Sequence, residues 1–159
     1  VDAGPEKRLR VVRVRKNPKE TYRVLVVDDS DDDRFFLRRS IQADSRLTIV
    51  AEVCNGEDAI SYLSGSTVFG DREKFPFPDL MLLDLKMPRK NGYEVLQWLR
   101  TQEFEQLVVV VLSGSTLPED AAKCRVLGAD AYKMKTAREE ERNALVREIE
   151  SLVDKKRRR

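Results

Sequence analysis

Three aspartates, a serine–glycine pair and a lysine are the residues of this chain best placed to do chemistry. Asp28 and Asp29 close the apolar run VLVV, Asp84 closes LMLL, Ser113 and Gly114 follow LVVVVL, and Lys135 ends the run 129–134. Burying one ionised carboxylate unpaired costs several kcal/mol. Three of them gathered at ~5 Å would repel by roughly 3 kcal/mol per pair at an effective dielectric near 20. Such a cluster calls for a cation, and hard oxygen donors with room for water suit Mg²⁺, which joins carboxylates to phosphate. An aspartate beside that ion can attack phosphorus and form an aspartyl phosphate. Taken singly, each residue has a plainer reading. Strand-end aspartates cap helices, serines form turns, and a lone lysine is usually solvated.

What would bring these residues together is the order of elements. Residues 24–27, 47–53, 80–83 and 107–112 read as strands, with a short fifth over 129–134. Their near-continuous apolar character, without strict alternation, fits parallel strands covered on both faces. Helix starts between them carry capping pairs: Ser30 with Asp33, Asn55 with Asp58, Asn91 with Glu94, Thr116 with Glu119 and Thr136 with Glu139. The last helix sets Leu145, Ile149, Leu152 and Val153 on one side. Five strand–helix units in succession predict a doubly wound α/β domain, (βα)₅. In that architecture ligands bind beyond the carboxyl ends of the strands, where all six residues would stand.

At 159 residues the chain suits one domain with a real core. Its net charge of +2 conceals an uneven distribution. The first 23 residues hold eight Lys/Arg against three Asp/Glu, and residues 155–159 are all basic, so the body is acidic. That pattern argues against a dedicated nucleic-acid binder, whose positive charge should cover a folded face. No apolar run approaches the ~20 residues that span a membrane, and no segment resembles a signal peptide. Cys54 and Cys124, with no CxxC and no histidine, offer no zinc pattern and read as reduced core residues of a cytoplasmic protein. Zero histidines exclude histidine-based acid–base catalysis. Residues 1–22, with RLRVVRVRK, read as a basic mobile arm, residues 23–153 as the domain and 154–159 as a solvated basic tail. Residues 64–77 read as a surface loop. The chain begins with Val1, and its native start stays open.

VVDDS (26–30), LLDLKMPRKNG (82–92), VVLSGS (110–115) and GADAYKMK (128–135) resemble, in order and context, the receiver domain of response regulators. The PDLMLLDLKMP wording and the long preceding loop resemble the single-domain regulators associated with bacterial phytochromes. The likeness implies a flavodoxin-like, CheY-like fold with strand order 2-1-3-4-5. It implies Asp84 as phosphoacceptor from a phosphohistidine on a sensor histidine kinase or phosphotransfer protein. Asp29 would bind Mg²⁺ directly, Asp28 mainly through water, and Lys86 through its backbone carbonyl. Lys135 would pair with Asp84 and then with the phosphoryl group, whose other oxygens Ser113 and the Gly114 N–H would take. Ser113 and Tyr132 would act as the switch. Output would pass to a downstream protein through the face of the fourth helix, fifth strand and fifth helix, which could also form a homodimer.

Two departures matter. Thr136 stands where receivers usually have a proline after the lysine, so a trans Lys135–Thr136 bond and a shifted loop are expected, with Thr136 as a cap; a cis bond without proline costs roughly 2.5–4 kcal/mol. Lys86 stands where a haloacid-dehalogenase-type phosphatase needs its second acid, against that rival. The other alternative is a pseudo-receiver that serves as a scaffold and is never phosphorylated.

Overall fold

The computed structural model describes residues 21–43 and 45–159. Strands and helices alternate: β1 (Tyr22–Val27), α1 (Asp31–Ala43), β2 (Leu47–Val53), α2 (Gly56–Ser64), β3 (Leu80–Leu83), α3 (Gly92–Leu99), β4 (Val108–Ser113), α4 (Pro118–Val126), β5 (Ala131–Met134) and α5 (Glu139–Arg157). Every neighbouring pair is parallel, in the order β2-β1-β3-β4-β5. This is the flavodoxin-like (βα)₅ arrangement the sequence implied. The basic arm's RLRVVRVRK lies outside the described residues, and β1 takes in Tyr22, one residue before the expected domain edge.

The apolar runs make sense as strands buried on both faces. Leu25, Val27, Met81, Leu83, Val109 and Val111 face one layer, packed against Tyr62 and Leu63 of α2, Val95 and Leu96 of α3, and Cys124 of α4. Val24, Val26, Leu80, Leu82, Val108 and Val110 face the other, against Leu37 and Ile41 of α1 and Leu145, Val146, Ile149 and Val153 of α5. Successive strand residues point to opposite sides, so an unbroken apolar run feeds both layers. β2, at the sheet edge, is only partly buried. It carries one extra residue opposite Val24–Leu25, after which the register resumes and ends at Val27 beside Val53.

Helix starts follow the capping pairs only in part. Asn55 accepts from the Asp58 N–H, and Asn91 with Glu94 forms a complete capping box. Thr116 does not cap α4. Pro118 occupies the first turn, where its fixed φ favours a helix start, and the extended Leu117 stands before it. Thr136 does not cap α5 either. The helix begins later, at Glu139, and the Thr136 hydroxyl donates to the Arg138 carbonyl at 3.2 Å. No peptide bond among the described residues is cis, as expected for Lys135–Thr136.

Two further expectations are corrected and one is extended. The 64–77 segment lies at the surface, as expected of a loop, and has anchors of its own. It contains a 3₁₀ turn (Thr67–Gly70), stacks Phe69 and Phe75 against the buried Tyr62, and places Arg72 where it donates to the Tyr62 and Leu63 carbonyls at 2.8 and 2.9 Å. Arg72 thereby satisfies the Leu63 carbonyl at the end of α2 and adds a second donor to the Tyr62 carbonyl, which also accepts from the Gly65 N–H at 3.2 Å. The basic tail is mostly helix: α5 runs to Arg157, Lys156 donates to the Leu107 carbonyl at 2.7 Å, and Arg157 pairs with the buried Asp79. Finally, Cys124 is buried but Cys54 is exposed, both as free thiols.

The turn after β3 is held from two sides. Arg89 and Lys90 adopt left-handed φ of 47° and 72°, and their carbonyls accept from the Glu57 and Gly56 N–H groups at 2.8 and 3.0 Å. Two otherwise unpaired donors at the start of α2 are satisfied in this way. On the other side, Gly92 donates to the Leu85 carbonyl at 2.9 Å. A Cβ at Gly92 would lie 2.4 Å from the Asp84 carbonyl oxygen and 2.9 Å from the Leu85 Cα, whereas one at Gly114 would meet nothing within 4 Å. Gly92→Ala should therefore destabilise the domain by about 2 kcal/mol through forced backbone displacement. Gly114→Ala should stay within about 0.5 kcal/mol. Urea unfolding of the two variants tests the contrast, and equal midpoints would contradict it.

Candidate functional site

The sheet register itself assembles the site. β1 and β3 end with Val27 beside Leu83, so Asp28 and Asp84 emerge as neighbours; the Asp84 N–H donates to the Val27 carbonyl at 2.9 Å. β4 and β5 end with Ser113 beside Met134, and the Lys135 N–H donates to the Ser113 carbonyl at 2.8 Å. Carboxylate oxygens of Asp28, Asp29 and Asp84 all lie within 4.8 Å of one another. Asp28, Asp84 and Ser113 are buried, and Asp29 is exposed. A groove of about 480 Å³ is lined by Asp33, Asp84, Lys86, Ser113, Gly114 and Lys135. All the sequence-derived site residues thus meet at one rim, except Tyr132, which reaches it through a loop.

Each acid is partly satisfied by the backbone that presents it. Asp28 Oδ1 accepts from the Ser30 N–H at 2.9 Å, and Asp84 Oδ1 accepts from the Leu85 N–H at 2.8 Å. The remaining oxygens turn to Lys135, whose Nζ lies 2.8 Å from Asp28 Oδ2, 2.8 Å from Asp33 Oδ2 and 3.4 Å from Asp84 Oδ2. Burial raises the Asp84 carboxyl above its ordinary range; the Lys135 charge opposes that shift and the Asp28 charge adds to it. For Lys135, burial works to lower the ammonium. The hydrogen bonds to Asp28 and Asp33, with the charges of Asp28 and Asp84, outweigh it and hold the group firmly protonated. One ammonium cannot neutralise so many acids, so the cluster remains electron-rich.

Three carboxylate oxygens in mutual reach, one of them exposed, are a donor set that fits a hard divalent cation keeping part of its water shell. Asp28, Asp29 and Asp84 would hold Mg²⁺, with the Lys86 carbonyl as the further donor the family likeness implies. The Ser113 hydroxyl accepts from the Ser115 N–H at 3.1 Å, and the exposed Gly114 adjoins it on the same groove.

Sequence reasoning missed two features. Asp33 was read as a capping-box acid, and Ser30 Oγ does accept from its N–H at 3.2 Å. Its carboxylate, however, goes to Lys135, while the Ser30 N–H goes to Asp28. The second is a clamp on the β4–α4 loop. The half-buried Tyr132 donates from its hydroxyl to the Ser115 carbonyl at 2.9 Å, Ser115 Oγ bonds Asp120, and the Tyr93 hydroxyl also donates to Asp120. These two hydroxyls hold Asp120 below the usual carboxylate range. No local pattern signals contacts between residues so far apart along the chain.

Comparisons with known proteins agree with this geometry. The family model of the response regulator receiver domain matches residues 24–147. The nitrate/nitrite response regulator NarL of Escherichia coli K12 is 33% identical over 117 residues, which cover 74% of this chain and 49% of that protein. The transcriptional regulatory protein CpxR of the same strain is 32% identical over 127 residues, 80% of this chain and 48% of its own length. The chain thus spans about half of these curated relatives. Among solved structures, a phosphorylated cyanobacterial phytochrome response regulator, RcpA, superposes with a TM-score of 0.73 at 28% identity, covering 82% of this chain and 92% of that one. A response regulator in red light signaling of R. palustris gives a TM-score of 0.73 at 32% identity, covering 80% and 90%. The Mn²⁺-bound form of response regulator Rcp1 gives 0.68 at 28%, covering 82% and 92%. Acids, lysine and hydroxyl at the carboxyl rim of a 2-1-3-4-5 sheet, and a family match across most of the domain, lead to one conclusion: this chain belongs to the response regulator receiver domain family of two-component systems.

Proposed function

We propose that the chain accepts a phosphoryl group from a phosphohistidine donor onto Asp84, in a Mg²⁺-dependent reaction. Receiver domains take phosphate from histidine kinases or phosphotransfer proteins, act on downstream partners, and bind Mg²⁺ at an acidic pocket. The observation that carries the reading here is the Asp84 carboxylate, grouped with Asp28 and Asp29 and facing Lys135 at 3.4 Å. An Asp84 oxygen attacks phosphorus, the phosphorus–nitrogen bond breaks, and the imidazole leaves with the bonding pair. When bound, Mg²⁺ supplies charge neutralisation to the transferring oxygens. Lys135 binds one phosphoryl oxygen, and the Ser113 hydroxyl and Gly114 N–H take others. Positioning and charge stabilisation dominate phosphoryl transfer. The chain acts only on its own aspartate and is a signalling domain.

Output through the α4–β5–α5 face fits the clamp described above. Tyr132 on β5 ties to Ser115, two residues beyond Ser113, so a Ser113 hydroxyl drawn towards the phosphoryl group would move a loop that β5 and α4 both hold. These elements carry the exposed apolar Val126 of α4 and Met134 of β5, available to a protein partner or a second copy. No helix among the described residues is long and apolar enough to cross a membrane, and we place the protein in the cytoplasm with its kinase. Likeness to a phytochrome response regulator, which the chain covers to 92%, and to a response regulator in red light signaling, which it covers to 90%, makes a phytochrome-type kinase the donor to test first.

Incubation with Mg²⁺ and acetyl phosphate should add one phosphoryl group by intact mass. Asp84→Asn, or chelation of the metal, should abolish the gain while circular dichroism stays unchanged. A folded wild type that takes up nothing would indicate the scaffold reading. Sustained turnover of a small phosphoester would indicate a phosphatase. A second outcome concerns stability without metal. The Asp84 carboxyl titrates higher in the folded than in the unfolded chain, so its ionised form weakens the fold at neutral pH, and wild type regains stability as pH falls through the folded pKa. Asp84→Asn should therefore be more stable at pH 7 in chelator by about 1 kcal/mol, with the gap closing on acidification. A gap that widens would contradict this.

A further inference from the structure

We propose that Asp33 sets how tightly the Asp84 position holds a phosphoryl group, by competing with that position for the Lys135 ammonium. The proposal rests on the reading of Asp84 as phosphoacceptor and goes beyond it by naming a residue that tunes the site. An ammonium has three hydrogens, and three carboxylates share this one. Asp28 and Asp33 stand at 2.8 Å, while Asp84 has the longest contact at 3.4 Å. The lysine therefore leans away from the reacting group towards two other acids. Asp28 belongs to the metal-binding trio, but Asp33 is not part of it. The interaction of Asp33 with the site runs through Lys135.

Its placement is built into the fold. The Asp33 N–H donates to Ser30 Oγ, the Ser30 N–H donates to Asp28 Oδ1, and Arg34 donates to the Asp28 carbonyl at 2.6 Å. The first turn of α1 is thus tied to Asp28, and Asp33 cannot drift far from the lysine. Any anion at position 84, carboxylate or phosphoryl, draws on an ammonium already engaged by Asp33. Losing the Asp33 charge leaves Lys135 to Asp28 and position 84 alone. A phosphoryl group, or an analogue of it, is held more strongly there. Asp32 supplies the control. It is exposed on the same turn with the same charge, and it makes no salt bridge to Lys135.

The test measures equilibrium binding of beryllofluoride in saturating Mg²⁺ by the full chain, its Asp33→Asn variant and its Asp32→Asn variant. Asp33→Asn should bind beryllofluoride about threefold more tightly than Asp32→Asn, the scale of one partly exposed ion pair. Asp33→Glu, which keeps the charge within reach, should return the affinity towards wild type. Equal affinities for the two Asn variants, or weaker binding by Asp33→Asn, would overturn the role of Asp33 while leaving the phosphoacceptor reading intact. Failure of the wild type to bind beryllofluoride would overturn both.

Discussion

Everything at the functional rim follows from the register of a parallel sheet. Strands that end together deliver their next residues together, and here those residues are Asp28, Asp84, the Ser113–Gly114 pair and Lys135. A shift of one residue between β1 and β3 would turn one acid towards the opposite helical layer and break the charge cluster. Burial enforces the register, because Val27, Leu83 and Val111 are fully enclosed and leave no room for slippage. The apolar core thus does more than stabilise the domain. It holds mutually repelling groups at distances they would not choose.

That repulsion is the site's working feature. Asp28 and Asp84 are nearly as buried as core residues, yet one shared ammonium is the main positive charge the protein offers them. The local backbone compensates, with N–H groups of Ser30 and Leu85 directed at the two carboxylates. What is left over is an unmet demand for positive charge, the physical basis for proposing that the three acids hold a metal ion. Burial, with the neighbouring Asp28 charge, keeps Asp84 hard to ionise, while the acids around Lys135 keep it charged.

Away from the rim, the structure ties loops to helices. Arg72 holds the end of α2, Arg89 and Lys90 satisfy its beginning, and Gly92 lets α3 press on the Asp84 backbone. The β4–α4 loop is fastened by Tyr132 and Asp120. A loop held at a few defined points can move as a unit between arrangements, which a signalling domain requires and a freely solvated loop would not provide.

How much of this was legible beforehand depended on the range of the interaction. Strand runs and the polar residues at their ends were readable because apolar patterning is local and strands buried on both faces have a distinctive composition, whereas the order of the strands in the sheet followed only from the resemblance to receiver domains. Asn55 and Asn91 were readable as caps for the same reason, since a side chain and an N–H three residues away suffice. Thr116 and Thr136 failed as caps because Pro118 and the loop after Lys135 moved the helix starts, which spacing alone could not reveal. Cys54 was misjudged because burial depends on what packs over a residue. The destination of the Asp33 carboxylate, the hold of Arg157 on Asp79 and the Tyr132–Ser115–Asp120–Tyr93 clamp were decided only by the tertiary structure. Residue types determine which charges and donors exist; only the folded chain, by bringing distant segments within about 3 Å, determines which of them meet.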